Sequence, residues 1–441
     1  MPGARGDPFR QAVKPDLKSF LKPEIVARFA EWGEPAYRAD QLLAWLYRRR
    51  ATAWKQMTDL SKALCARLDE HFRLTSLELV RKQGAEESTQ KFLWRMVDGA
   101  LIESVLIPAN PVLYGEASDR HTLCVSTQVG CAYGCRFCAS GLDGWKRNLE
   151  PHEIVEQVMA IERWQAGLRG VGGGASGEPG SQGLHADDPG CKAEAAPLPA
   201  PRPSTLVAPR LVDNLVIMGM GEPLANYENL LKALAILNAP WGGAIGARKI
   251  TISTSGLAPQ IRRLADEPFQ FNLAISLHGA SDEVRSRIMP VNRKYPLNDL
   301  VAACEHYRDK KGRLLTFEYI LIAGVNDAPE QVKPLAQLAR RLNAKVNLIP
   351  YNRVEGLAWE RPSDEVQEAF LAALERQKVK ATLRREKGHE IDAACGQLRL
   401  RTEREFAGPA GTSRRGTRGA VAGPERNRTP SSRASGDAPG G

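Results

Sequence analysis

TLCVSTQVGCAYGCRFCAS, residues 122–140, joins a run of strand character to three cysteines, Cys131, Cys135 and Cys138, at C-x3-C-x2-C spacing. The first seven residues are rich in apolar and β-branched types, which favours a strand. Gly130, Gly134 and Gly141 surround the thiols and let the backbone fold closely about whatever they hold. A structural zinc site closes with four ligands, and the candidates for a fourth, His121 and Cys124, both lie upstream. Iron–sulfur clusters are also usually held by four thiolates, so three cysteines imply an iron with an open coordination position. Taken alone the triplet favours a cluster over zinc or coincidence.

Outward from this stretch, strands alternate with helices. The strand candidates are 122–128, 213–220, 248–255, 270–278, 313–322 and 344–351. Amphipathic segments such as EPHEIVEQVMAIERW, NYENLLKALAILN and PEQVKPLAQLARRL separate them. That alternation predicts a parallel sheet covered by helices. In such folds chemistry collects at the C-terminal ends of the strands. The unusual residues fall there: the Cys triplet after the first strand, GMGEP after the second, STSG and SLH ending the third and fourth, and PYN after the sixth. One site lined by five loops is expected.

Upstream, residues 18 to 75 have helical periodicity. Pro35 separates two helices, and Ser61 caps a third that buries Cys65. A β-like stretch with a Gly99 turn follows at 91–108. Residues 170–209 and the tail from about 405 are built of Gly, Pro, Ala, Ser and, in the tail, Arg, with too few large apolar residues to offset their ordering entropy. Both are expected to be disordered, with Cys191 a bystander. The predicted organisation is a helical module over 1–90, a catalytic domain over 91–404 interrupted by 170–209, and a basic tail over 405–441.

The formal net charge is +10. From Phe406 on, the tail holds six arginines against two acids, while 170–209 is net acidic, so most of the excess lies in the part expected to fold. A polyanionic partner such as RNA fits that balance. No run approaches the roughly 20 apolar residues of a membrane helix, and MPGARGDPFRQAVKPDL lacks the apolar core of an export signal. Eight cysteines, three of them crowded, suit a reducing cytoplasm better than a disulfide framework.

CAYGCRFC resembles the CxxxCxxC signature of radical S-adenosylmethionine (radical SAM) enzymes. The strings LCVSTQVGC, GWKRNL, MGMGEPLAN, ITISTSG, AISLHGA, NLIPYN and IDAACGQL together resemble the RlmN/Cfr family of RNA adenosine methyltransferases, from about residue 18 to 400 apart from the insertion. The resemblance implies an α/β fold, a partial (β/α)6 barrel with a small N-terminal helical domain that assists RNA binding. It also implies a [4Fe-4S] cluster on Cys131, Cys135 and Cys138, with S-adenosylmethionine on the open iron and two such molecules used per turnover. Gly221 then allows close approach to the methionine ammonium and Glu222 supplies its counter-charge. Ser253, Ser276, Leu277, His278 and Asn352 line the rest of the cofactor.

The same resemblance gives Cys395 the role of the methyl carrier, Cys124 that of the thiol that releases product, and Glu103 that of the proton acceptor. It implies C2 methylation of adenosine 2503 in 23S rRNA and adenosine 37 in tRNA, by a monomer supplied with electrons by a donor such as flavodoxin. The alternatives are methylation of C8 on the ribosomal base, and a zinc-bearing RNA-binding protein without catalysis. The last leaves GMGEP, STSG and Cys395 without a purpose.

Overall fold

The computed structural model describes residues 14–85, 87–109, 120–142, 144–171, 210–384 and 397–407. Cys395, the insertion from 172 and the tail from 408 lie outside the described residues.

Three helices, Lys22–Glu31, Tyr37–Leu43 and Lys62–His71, open the chain. Ile25 and Phe29 are buried one helical turn apart, and Ser61 Oγ accepts the Leu64 N–H at 3.1 Å as the cap of the third helix. Cys65 is partly buried against the core, as its spacing predicts. This helical group is keyed to the long helix Pro151–Val171 by buried polar contacts. Lys18 lies 3.4 Å from Glu156, Ser19 Oγ lies 3.1 Å from His152 Nδ1, and the Arg50 guanidinium lies 2.8 Å from Glu162. Glu162 also accepts the N–H groups of Leu211 and Val212. The described residues up to Arg401 form a single unit, with most of their buried apolar side chains in one cluster.

Strands β1 (Glu78–Gln83), β2 (Gln90–Arg95) and β3 (Leu101–Pro108) form an antiparallel meander. The sheet therefore begins inside the stretch read as a helical module. β1 escaped the sequence reading because ELVRKQ is mostly polar. β4 (His121–Cys124) pairs antiparallel with β3 and parallel with the strand beyond it. β5 (Gln128–Gly130) and β6 (Trp145–Asn148) form a separate hairpin. The remaining strands are β7 (Val212–Ile217), β8 (Ile250–Thr254), β9 (Asn272–Ser276), β10 (Leu315–Leu321), β11 (Ala344–Pro350) and β12 (Ala381–Leu383).

All run parallel from β4 onward, and the ten-stranded sheet has the order β1-β2-β3-β4-β7-β8-β9-β10-β11-β12. All six strands expected from the sequence form. All six end one to four residues early, where the chain leaves the ladder to build loops. β5, β6 and β12 are each only three or four residues long, too short for periodicity to reveal. Among the described residues, no helix is long and apolar enough to cross a membrane.

Candidate active site

The three cysteines sit on the loop between β5 and the short helix Ala139–Leu142. This loop is pinned at several points: Cys131 N–H donates to Gly144 O, Arg136 N–H to Ile288 O, and Cys138 N–H to Cys135 O. Gly130 is obligatory, because its φ is +75° and a Cβ there would meet Gly144 O at 1.8 Å. The thiols are close enough to raise one another's proton affinity, though burial does most of it. Burial pushes Cys131 up to about 12 and holds Cys135 and Cys138 above their ordinary values.

A bound iron would supply the positive charge that favours their thiolate forms. Backbone N–H groups of Tyr133 and Gly134 are aimed at the Cys131 sulfur, and those of Ser140 and Gly141 at Cys138. N–H groups directed at sulfur suit an iron–sulfur cluster. Among the described residues, no three His, Cys, Asp or Glu side chains close on a single ion. Three thiols on one pinned loop, two of them with N–H groups directed at their sulfur, fit the cluster.

GMGEP and STSG, 30 residues apart in sequence, are one unit in space. The buried Glu222 carboxylate accepts Thr254 Oγ1–H at 2.8 Å and the Ser255 N–H at 2.7 Å, and also the Leu224 N–H at 3.0 Å. Burial raises its proton affinity above the usual carboxylate value, and these bonds offset part of that rise. A buried, hydrogen-bonded carboxylate beside the cluster loop can receive an ammonium group. Gly221 has φ +100°, and a Cβ there would lie 2.6 Å from Gln128 Cβ. The glycine is thus already required by its packing on Gln128.

Ser253 and Ser276 meet across β8 and β9, with their hydroxyl oxygens 3.5 Å apart. Leu277 buries its side chain, donates its N–H to Glu318 O and gives its carbonyl to Arg285 Nε at 3.2 Å. His278 follows with a left-handed φ of +54°. Its Nδ1 accepts the Ile320 N–H at 3.0 Å, and its ring meets Phe137 of the cluster loop edge-on. Burial, helped by Arg285, drives this imidazole down to about 3, so it is neutral. Asn352 lies half-buried just past β11.

Glu103 and Cys124 come from the antiparallel side. Cys124 is directly opposite Val105, so it shares a face with Val105 and, two residues along β3, with Glu103. The intervening Ser104 faces the other way, donating to Gln157 of the helix Pro151–Val171 at 2.9 Å. Glu103 is 3% exposed. It lies 3.2 Å from Lys91 Nζ and accepts the Arg399 N–H at 2.7 Å. It is near enough to the cluster loop to raise the Cys138 thiol further.

Four contributors escaped the sequence reading. Arg285 is fully buried, drawn down to about 10 by burial, and bonds the carbonyls of Ser255 and Leu277 behind the cluster loop. Asn326 donates to the His278 carbonyl at 2.8 Å. Lys91 faces Glu103, and Gln128 accepts the Glu222 N–H at 2.9 Å. Only Gln128, inside the quoted STQVGC string, carried any signal.

Residues 16–74 match the family described as ribosomal RNA large subunit methyltransferase N-terminal domain, and residues 207–338 match the radical SAM superfamily. The chain is 50% identical over 393 residues to "Probable dual-specificity RNA methyltransferase RlmN 3" of Opitutus terrae, covering 89% of this chain and 96% of that protein. It is 44% identical over 384 residues to "Dual-specificity RNA methyltransferase RlmN" of Anaeromyxobacter dehalogenans, covering 87% and 91%. The crystal structure of a radical SAM methyltransferase from Sphaerobacter thermophilus superposes with a TM-score of 0.72 at 41% identity, covering 87% of this chain and 98% of that one.

Proposed function

The chain belongs to the RlmN family of radical SAM RNA methyltransferases, and from that premise we propose that it methylates C2 of adenosine in 23S rRNA (adenosine 2503) and in tRNA (adenosine 37) through a methyl group carried on Cys395. The observation that carries this reading is the placement of Glu103. It shares a sheet face with Cys124, lies close to the Cys138 thiol, and is hydrogen-bonded to Arg399, four positions beyond Cys395. Neither β3 nor the segment near residue 399 is needed to hold a cluster.

Cys131, Cys135 and Cys138 would hold the cluster, which when bound supplies one electron for the reductive cleavage of S-adenosylmethionine. Glu222 would take the methionine ammonium, exchanging hydration for a fixed counter-charge. Ser253, Ser276 and Asn352 offer hydroxyl and amide groups to the remainder, with Leu277 and neutral His278 shaping the wall. Cys395 takes the methyl group as a nucleophilic thiolate and presents it to the base. The Cys395 methyl group gives one hydrogen to the adenosyl carbon of the second S-adenosylmethionine, which serves as the oxidant, so that the methyl carbon can bond the base. Glu103 accepts the proton from the attacked carbon. Cys124 then attacks the Cys395 sulfur, the methylated base leaves with a proton on the released carbon, and the two thiols remain as a disulfide. An external donor such as flavodoxin returns that disulfide to thiols.

The test is mass spectrometry of 23S rRNA and tRNA from cells with and without the gene. Loss of 2-methyladenosine on deletion is the expected result. Loss of 8-methyladenosine would assign the other carbon, and unchanged RNA would overturn the reading.

A further inference from the structure

GWKRNL, residues 144–149, is a motif whose role the site does not yet explain. It forms β6, paired with the strand that leads into Cys131. The register pairs Val129 with Arg147 but Gly130 with Trp145, so Lys146 is an extra residue, a β-bulge. Bulges reverse the alternation of a strand and re-aim its side chains. Trp145 and Asn148, which strict alternation would put on opposite faces, are brought together: the Trp145 Nε1–H donates to Asn148 Oδ1 at 3.3 Å.

The same Asn148 oxygen accepts from Gln128 Nε2 at 2.8 Å, and Gln128 Oε1 accepts the N–H of Glu222. A chain of hydrogen bonds therefore runs from the backbone N–H of Glu222, whose side chain lines the cofactor site, to an indole that is 52% exposed. Arg147 clamps the hairpin from below, bonding Asp98 at 2.7 Å and both oxygens of Glu153.

A large exposed aromatic ring on a surface is usually mobile. This one donates its own N–H to Asn148 beside the cluster loop and stays about half exposed. Lys146, its neighbour in β6, and Arg136 on the cluster loop are also exposed and bring positive charge. Held aromatic rings flanked by cations suit single-stranded nucleic acid, where bases stack and phosphates pair with the cations. We propose that Trp145 is a stacking platform for a base next to the target adenosine, with Lys146 on the adjoining phosphate. The inference rests on the RNA-methylating reading and specifies how that site orients its substrate.

The test uses full-length chain with reconstituted cluster and a synthetic RNA hairpin that displays adenosine in its loop. Two further hairpins are abasic at the 5′ or the 3′ neighbour of that adenosine. Trp145→Ala should raise KM and Kd for the intact hairpin about 5- to 100-fold, the range expected for one base stacked on an aromatic ring. Iron content and affinity for S-adenosylmethionine should stay unchanged. Trp145→Phe, which keeps a ring but loses the N–H, should recover most of the affinity. One abasic hairpin should bind wild type as weakly as Trp145→Ala binds intact RNA, with no added loss when the two changes are combined.

Unchanged KM in Trp145→Ala overturns the platform, as do fully additive losses with both abasic hairpins or a Trp145→Phe loss equal to that of alanine. If wild-type chain modifies no adenosine in any hairpin or in whole rRNA and tRNA, the underlying reading fails and takes the platform with it.

Discussion

The backbone N–H of Arg399 donates to Oε1 of Glu103 across 2.7 Å of space and 296 residues of sequence. That bond ties the end of the catalytic domain to a strand on the antiparallel side of the sheet, and it leaves Glu103 Oε2 facing Lys91 at 3.2 Å.

Removing one member of such a buried ion pair is more damaging than removing both, because the survivor keeps its desolvation cost. Lys91→Met should destabilise the fold by about 3 kcal/mol. Adding Glu103→Leu should recover a large part of that loss. Thermal denaturation of the two single variants and the double variant measures the coupling, and strictly additive effects would show that the pair does not act as a unit.

Cys131→Ala, Cys135→Ala and Cys138→Ala should each lose the cluster, since two thiolates on this loop cannot hold the cubane. Anaerobic purification with iron and acid-labile sulfide analysis reads the result. Full cluster content in any one of the three would remove that residue from the ligand set.

Cys124→Ala and Cys395→Ala should fail differently. Without Cys395 no methyl carrier exists, so RNA binds but no covalent species forms. Without Cys124 the adduct between Cys395 and the base has no thiolate to release it. Denaturing electrophoresis should show a protein–RNA conjugate only for Cys124→Ala, and peptide mass spectrometry should find the increment at Cys395. Normal turnover by Cys124→Ala would return that residue to an ordinary strand position.

Gly221→Ala should cost ~1–3 kcal/mol, because a φ of +100° strains any side chain and the new Cβ overlaps Gln128. Gln128 must shift, and with it Asn148 and the Glu222 N–H contact. The expected signature is a lowered Tm together with weakened S-adenosylmethionine binding in equilibrium dialysis. Wild-type values for both would show that the turn relaxes freely.

His152 gives a pH dependence. Burial holds its imidazole below the ordinary 6.5. Above pH 6.5 the ring is neutral in folded and unfolded chains alike and contributes nothing. Below pH 6.5 the unfolded chain takes the proton first, so stability falls with falling pH until the lowered folded value is reached, by at most about 1.4 kcal/mol per pH unit. His152→Asn, which can still meet Ser19, should flatten the drop in Tm between pH 6.5 and 5.5. Parallel slopes would mean that this histidine does not titrate across unfolding.

The six parallel strands, the helices between them and the clustering of cysteines, GMGEP, STSG and SLH at strand ends were all legible in the chain. Each is written locally: apolar runs and helical periodicity state how a segment must bury itself, and a parallel sheet forces the strand ends to one side. The partners of those residues were not legible. Arg285 lies in a polar helix, EVRSRI, whose sequence gives no reason to be buried, and Lys91 follows a polar turn. Glu103 and Arg399 meet across most of the chain, and the contact of Trp145 with Asn148 depends on a bulge that no local pattern announces. Only the folded chain decides these, because the free energy of a buried charge or hydrogen bond depends on what stands opposite it, and tertiary structure alone chooses that neighbour.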